Sequence, residues 1–167
     1  MDTNLLMQEI RQAIKNSDQS KLESLLASAP SQINATTVFG NWLHFAVSFN
    51  ARMEIIKYLI EKGVDINQKA GFLKGNALNI AATERRIDVI NYLLEKGAEI
   101  DISLPERNPL FSAIYSGSID IVEVLITHKV NFKIKYTGER MKNMDALAYA
   151  KERGQIEIAE MLSLLSE

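Results

Sequence analysis

Cysteine is absent from the 167 residues, which excludes disulfides, thiolate metal sites and cysteine nucleophiles. Histidine is scarce too, with only His44 and His128. No apolar stretch approaches the roughly 18 residues needed to cross a bilayer. The opening Met1-Asp2-Thr3-Asn4 has neither the basic start nor the apolar run of a signal peptide. The expectation is a soluble, cytoplasmic protein that stays where it is made, so the sequon Asn34-Ala35-Thr36 carries no glycosylation. A dominant charge is also missing. Nineteen Lys and Arg stand against 21 Asp and Glu, a net charge of −2, whereas a general nucleic-acid-binding domain is clearly basic. Only a local basic patch stays open. There is no His-Glu-x-x-His, P-loop or Gly-x-Gly-x-x-Gly, and no Gly-x-Ser-x-Gly. The chain therefore reads as a non-enzyme that needs neither metal nor cofactor.

What is present is an apolar fraction of 47%, enough for a packed core, and it is distributed as a repeat. Ile55-Ile56-Lys57-Tyr58-Leu59-Ile60-Glu61-Lys62-Gly63-Val64-Asp65-Ile66-Asn67 matches Val89-Ile90-Asn91-Tyr92-Leu93-Leu94-Glu95-Lys96-Gly97-Ala98-Glu99-Ile100-Asp101 almost position for position. A third copy starts at Ile121, and weaker ones lie near Leu22 and Ile158. The equivalent leucines are Leu25, Leu59, Leu93, Leu125 and Leu162, spaced 34, 34, 32 and 37 residues apart. Upstream of each lies a second element, as in Gly40-Asn41-Trp42-Leu43-His44-Phe45-Ala46 and Gly75-Asn76-Ala77-Leu78-Asn79-Ile80-Ala81. Asn41, Asn76, Asn108 and Asp145 hold one position, where a short polar side chain can cap a helix. Pro109 then suits a first helical position. Each unit reads as cap, short helix, tight turn, second helix and extended loop. Gly63 and Gly97 stop second helices, Gly117 and Gly154 fall in the turn between helices, and the second unit has one extra residue near Asn50-Ala51.

Gly-Asn-x-Leu-His-x-Ala followed by Leu-x-x-x-Gly-x-Asp-x-Asn, at a period near 33, resembles the ankyrin repeat. The resemblance covers residues 36–136, with both ends as degenerate copies. It implies an all-α fold: an ankyrin repeat solenoid of about five stacked helix-turn-helix units with projecting loops or short β-hairpins. The units fall at about 1–34, 35–70, 71–103, 104–136 and 137–167, in a single domain over 1–167. The family's Thr-Pro is replaced by Asn41-Trp42 and Asn76-Ala77, and its histidine survives only as His44. A tetratricopeptide array shares the period but lacks the glycine-ended second helix and long loop. The segment from Lys135 to Leu147 is similar to small bacterial ankyrin proteins, some of which are immunity proteins that neutralise a toxin.

Stacking should bury one column at Leu43, Leu78, Leu110 and Leu147 and another at Leu59, Leu93, Leu125 and Leu162. Small residues, Ala46, Ala81, Ala113 and Ala150, should stand where helices approach closely. Polar residues in 4–26 and 151–160 read as solvent-tolerant ends, so the chain is expected to be a complete array. His44 reads as a structural hydrogen-bonding residue and His128 as a cation near a helix C-terminus.

Recognition should concentrate on one face of the stack and its loops. The loops contain Lys69, Lys74, Arg107, Lys135, Arg140 and Lys142 with interleaved aromatics, and aromatic and arginine side chains are the usual anchors of interfaces. The expected contacts are Trp42, Phe49, Phe72, Lys74, Arg107, Tyr115, Tyr136, Arg140 and Lys142. Together they imply a partner protein with an acidic contact surface. With the resemblance, the most concrete form is an immunity protein, monomeric when free, that binds and blocks one toxin away from any membrane. The alternatives are a nucleic-acid-binding protein using the basic loops, or a general scaffold or regulatory adaptor.

Overall fold

The computed structural model describes residues 2–70, 75–139 and 141–166. Among them the chain forms ten α-helices: α1 (Thr3–Lys15), α2 (Gln19–Ser28), α3 (Trp42–Ser48), α4 (Met53–Glu61), α5 (Ala77–Thr83), α6 (Ile87–Glu95), α7 (Pro109–Ser116), α8 (Ile119–Thr127), α9 (Ala146–Glu152) and α10 (Ile156–Leu164). A 3-10 turn spans Pro30–Asn34. The strands β1 (Tyr136–Gly138) and β2 (Met141–Met144) pair antiparallel, Tyr136 opposite Met144 and Gly138 opposite Met141.

The helices form five consecutive pairs. Within each pair the two helices pack together, and α1, α3, α5, α7 and α9 pack in sequence along one side while α4, α6, α8 and α10 do so along the other. Every inner helix from α3 onward starts at the expected cap. The Asn41 Oδ1 accepts from the amides of Leu43 and His44 at 3.1 and 3.2 Å. Asn76, Asn108 and Asp145 accept likewise from Asn79, Leu110 and Ala148.

The turn inside each pair is the same device five times. Ser17, Asn50, Arg85, Gly117 and Gly154 all have φ between 52° and 71°. Beyond each, an amide returns to a buried alanine carbonyl: Asp18 to Ala13, Ala51 to Ala46, Arg86 to Ala81, Ser118 to Ala113 and Gln155 to Ala150. This is the six-residue closure that a left-handed residue permits after a helix. The extra residue of the second pair lies just beyond Asn50, where it lengthens the approach to α4 without disturbing that closure. Second helices close similarly, Val64 to Leu59, Ala98 to Leu93 and Val130 to Leu125, with Gly63, Gly97 and Lys129 in the left-handed position.

The core follows the two columns with one exception. Leu43, Leu78, Leu110, Leu59, Leu93, Leu125 and Leu162 are fully buried, as are Ala46, Ala81, Ala113 and Ala150. Leu147 is only partly buried, because α9 belongs to the last pair and has a packed pair on one side only. Only one of the long connections becomes a hairpin among the described residues. A bridge at Thr37–Gly40 makes one other a tight reversal and a bridge pairs Ala70 with Gly75, whereas the 101–108 connection is closed by turns, with Arg107 and Asn108 donating to the Leu104 carbonyl.

The cap asparagines also join one pair to the next. Asn41 Nδ2 donates to the Asp65 carbonyl at 2.7 Å and Asn76 Nδ2 to the Glu99 carbonyl at 2.8 Å. Asn34 and Asn67 accept the amides of Asp65 and Glu99 at 3.0 and 2.9 Å, a second rung between successive connections. His44 is buried beside this ladder. Its Nδ1 lies 2.7 Å from Asn41 Oδ1 and its Nε2 3.3 Å from the Gly75 carbonyl. Burial holds its pKa below the ordinary value, opposed by backbone hydrogen bonds and the charge of Asp65. His44 is thus a structural hydrogen-bonding residue. His128 caps α8, its Nδ1 2.9 Å from the Val124 carbonyl.

Lys69 and Asp101 fasten neighbouring connections, 2.7 Å apart, with the carboxylate almost enclosed. Burial raises the Asp101 pKa, but hydrogen bonds from Lys69 and Ser103 outweigh it and bring the value from 3.8 to about 2. The folded state therefore favours the charged form. Its stabilising contribution is complete by about pH 5, above the unfolded value, and is lost as the pH falls through about 2, below which both states are protonated. Asp101→Asn is expected to cost about 1–2 kcal/mol at neutral pH. Urea midpoints of the two proteins should converge as the pH is lowered from about 5 through about 2; a gap that stays constant with pH would assign the loss to something other than the ion pair.

Candidate functional site

The inner helices share one register, with the fourth residue after each cap partly or fully buried and the seventh and eighth mostly exposed. Counting from each cap, the fourth, seventh and eighth residues are Phe45, Ser48 and Phe49 in the second pair and Ile80, Thr83 and Glu84 in the third. They are Ser112, Tyr115 and Ser116 in the fourth and Tyr149, Glu152 and Arg153 in the fifth. This register makes a continuous face whose two ends differ.

At the C-terminal end the face opens into a groove of about 890 Å³, bounded by α5, α7 and α9, the turn at Pro105–Glu106 and the β1–β2 hairpin. Its floor is aromatic. Phe111 stacks on Tyr149 with centroids 4.9 Å apart. Tyr115 is 62% exposed, and the Arg153 guanidinium lies over its ring at 4.4 Å and 5.8 Å from that of Tyr149. Burial pushes the Tyr149 hydroxyl pKa up, with Arg153 opposing. Around the rim stand three exposed carboxylates, Glu106, Glu139 and Glu152.

At the N-terminal end the face is apolar. Phe39, on the Thr37–Gly40 reversal, is 52% exposed and Phe49 40%. Both pack against the buried Phe45, Phe49 with centroids 4.3 Å apart and Phe39 at 6.1 Å. The ammonium of Lys15 from α1 sits 4.3 Å from the centre of the Phe49 ring.

Of the expected contacts, Tyr115 lines the groove and Phe49 belongs to the apolar end. Arg107 is half-buried beside the rim, within reach of Ser103, and Lys142 is exposed on β2. Phe72, Lys74 and Arg140 lie outside the described residues. Two expectations are corrected. Trp42 is fully buried, and its Nε1 donates to the Gln32 carbonyl at 2.7 Å, so it joins the first two pairs and is not a surface anchor. Tyr136 is also buried. Its hydroxyl accepts from Asn108 Nδ2 at 3.1 Å and donates to the Ile102 carbonyl at 2.6 Å, which satisfies both its roles inside the fold. The expected row of free cations changes as well, since Lys69 is paired with Asp101 and the described groove carries more carboxylates than cations. Phe111, Tyr149, Glu152 and Arg153 were not among the expected contacts, although stepping four, seven and eight residues from each cap finds the last three.

A family model described as ankyrin repeats (3 copies) matches residues 10–103. Over 73 residues the chain is 37% identical to a palmitoyltransferase of Naumovozyma castellii, covering 42% of this chain and 9% of that protein. Over 59 residues it is 42% identical to a putative ankyrin repeat protein of fowlpox virus, covering 35% of this chain and 11% of that one. The matched part is thus about a tenth of either relative. No described helix is long and apolar enough to cross a membrane.

Proposed function

This chain belongs to the ankyrin repeat family, and from that membership we propose that it is a protein–protein interaction module whose partner docks on the inner-helix face. The groove carries the reading. It combines exposed aromatic surface, a polar rim and a rigid frame of three helices, the composition found at interface hot spots. Residues 1–167 act in this reading as one array, monomeric when free and working in the cytoplasm without catalysis. Its narrowest form, resting on the likeness of the Lys135–Leu147 segment to small bacterial ankyrin proteins, some of which are immunity proteins, is a module that holds a toxin inactive.

The test is retention of a partner from a lysate of the source cells, followed by affinity measurements on the purified pair. Tyr115→Ala removes an exposed ring and should leave the melting temperature unchanged while weakening the complex about tenfold or more. Full affinity in that variant would remove the groove from the interface. A retained hydrolase or nuclease that loses activity in the complex would establish the toxin-binding form. Nucleic acid alone, released as salt rises, would transfer the function to the nucleic-acid alternative.

A further inference from the structure

The N-terminal end of the face joins apolar surface to two cations, Arg11 and Lys15, that have no ion pair among the described residues. They are four residues apart on α1 and so share one side of that helix. Arg11 stands two residues before Ala13, the place that His44 and Asn79 hold before Ala46 and Ala81. From that place His44 and Asn79 reach the following unit, at the Gly75 carbonyl and at Ser112 Oγ. The Arg11 Nε is instead enclosed with no hydrogen-bond partner among the described residues. An enclosed donor without an acceptor costs stability, and native structures keep few of them. The Lys15 ammonium lies 4.3 Å from the centre of the Phe49 ring and 5.8 Å from that of Phe45. The carboxylates on α1 are engaged elsewhere: Asp2 caps the helix, and Glu9 pairs with Lys21 at 2.8 Å. From Thr36 to Asn50 the chain has no Asp, Glu, Lys or Arg. Glu84 holds on α5 the place that Phe49 holds on α3, and so bounds this end on the side away from α1.

Beside the cations, Val38 and Phe39 stand at the tip of the Thr37–Gly40 reversal, Val38 84% exposed. Such tips ordinarily carry Gly, Asn, Asp or Pro. Here Thr37 and Gly40 exchange backbone hydrogen bonds of 2.7 and 3.0 Å. The Thr37 hydroxyl also donates to the Gly40 carbonyl and accepts from the Phe39 amide, both at 3.0 Å. The tip is therefore fixed before anything binds, which lowers the ordering cost of docking on it. Phe39 meets Phe45 and Phe49 edge-on, so tip, rings and ammonium form one surface.

Resting on the proposed use of this face, we propose that its N-terminal end takes a short linear segment of the partner, with an Asp or Glu held by Arg11 and Lys15 and a bulky apolar side chain seated against Val38, Phe39 and Phe49. The 4.3 Å from Lys15 to Phe49 and the 6.3 Å from Phe49 to Phe39 keep the two contacts within about three residues of extended chain, at about 3.3 Å each. Glu84 repels the carboxylate from the other side, so the acidic residue lies toward α1. The acidic preference expected of the loop cations is carried in this way by α1.

A displayed library of random linear peptides, selected on the full-length protein at low salt, tests this. Enriched sequences should carry Asp or Glu within about three positions of an aromatic or branched aliphatic residue. Their affinity should fall roughly tenfold in Lys15→Glu and in Phe39→Ala, and should weaken as salt rises. Arg11→Met keeps the apolar stem and removes the unpartnered donor, so the melting temperature should hold or rise while peptide affinity falls. A lower melting temperature with unchanged affinity would make Arg11 a packing residue and overturn the inference. Peptides that ignore Lys15→Glu and Phe39→Ala but are lost in Tyr115→Ala would also overturn it, and would leave the groove as the binding site. Peptides indifferent to all three changes would overturn it together with the use of the inner-helix face. Absence of enrichment would rule out a linear segment, while Tyr115→Ala on the purified pair would still decide the inner-helix reading.

Discussion

Trp42→Ala is expected to destabilise the protein by about 3–5 kcal/mol, the range for a buried aromatic lost from a packed core. The ring is fully enclosed, meets Phe45 edge-on with centroids 6.4 Å apart, and donates to the Gln32 carbonyl in the 3-10 turn of the first pair. Two losses therefore coincide: a cavity opens at the first helical position of α3, and the Gln32 carbonyl loses one of its two donors, keeping only the Ala35 amide. Trp42→Phe should cost less, since it keeps an aromatic ring in the site, leaves a smaller cavity and removes a bond worth about 0.5–1.5 kcal/mol. Marginal stabilities of about 5–15 kcal/mol make the alanine change a large fraction of the total. Urea unfolding followed by far-ultraviolet circular dichroism measures it. An alanine variant with the wild-type midpoint would show that the indole contributes nothing to joining the first two pairs.

Leu93→Ala should cost about 2–5 kcal/mol. Leu93 is fully buried on α6, which packs against both α4 and α8, so the space left by its side chain is bounded on two sides and cannot collapse freely. Leu162 is equally buried on α10, but α10 packs along its row only against α8. Its truncation should cost less, because a neighbour on one side only leaves room to relax. Equal or reversed losses in a paired urea titration would contradict the two-sided packing of the central leucine.

The sequence revealed whatever depends on neighbouring residues in the chain. The caps at Asn41, Asn76, Asn108 and Asp145 were readable because the bonded amides lie two or three residues on. The glycine stops were readable because left-handed backbone favours glycine. Partners far along the chain were not readable. Trp42 looked like an anchor because it stands where the repeat usually has proline, and its acceptor is on the preceding unit. Tyr136 looked exposed in a long connection, yet its hydroxyl serves Asn108 and Ile102, 28 and 34 residues away. Loop cations suggested an acidic partner because charge counting ignores geometry: Lys69 is paired to Asp101, and Glu106, Glu139 and Glu152 share one groove rim only when the last two units are folded together.

The substantial helix contacts run within a pair or to the next pair in line, so mechanical news travels through this protein one unit at a time. A change near Phe49 must cross α5 and α7 before it reaches Arg153. Perturbations at the two ends of the face should therefore combine additively, as independent sites do. A lineage, or a protein engineer, can thus rewrite the apolar end for a new partner while the charged end keeps its old preference. One fixed frame then yields many combinations of two separately tunable halves.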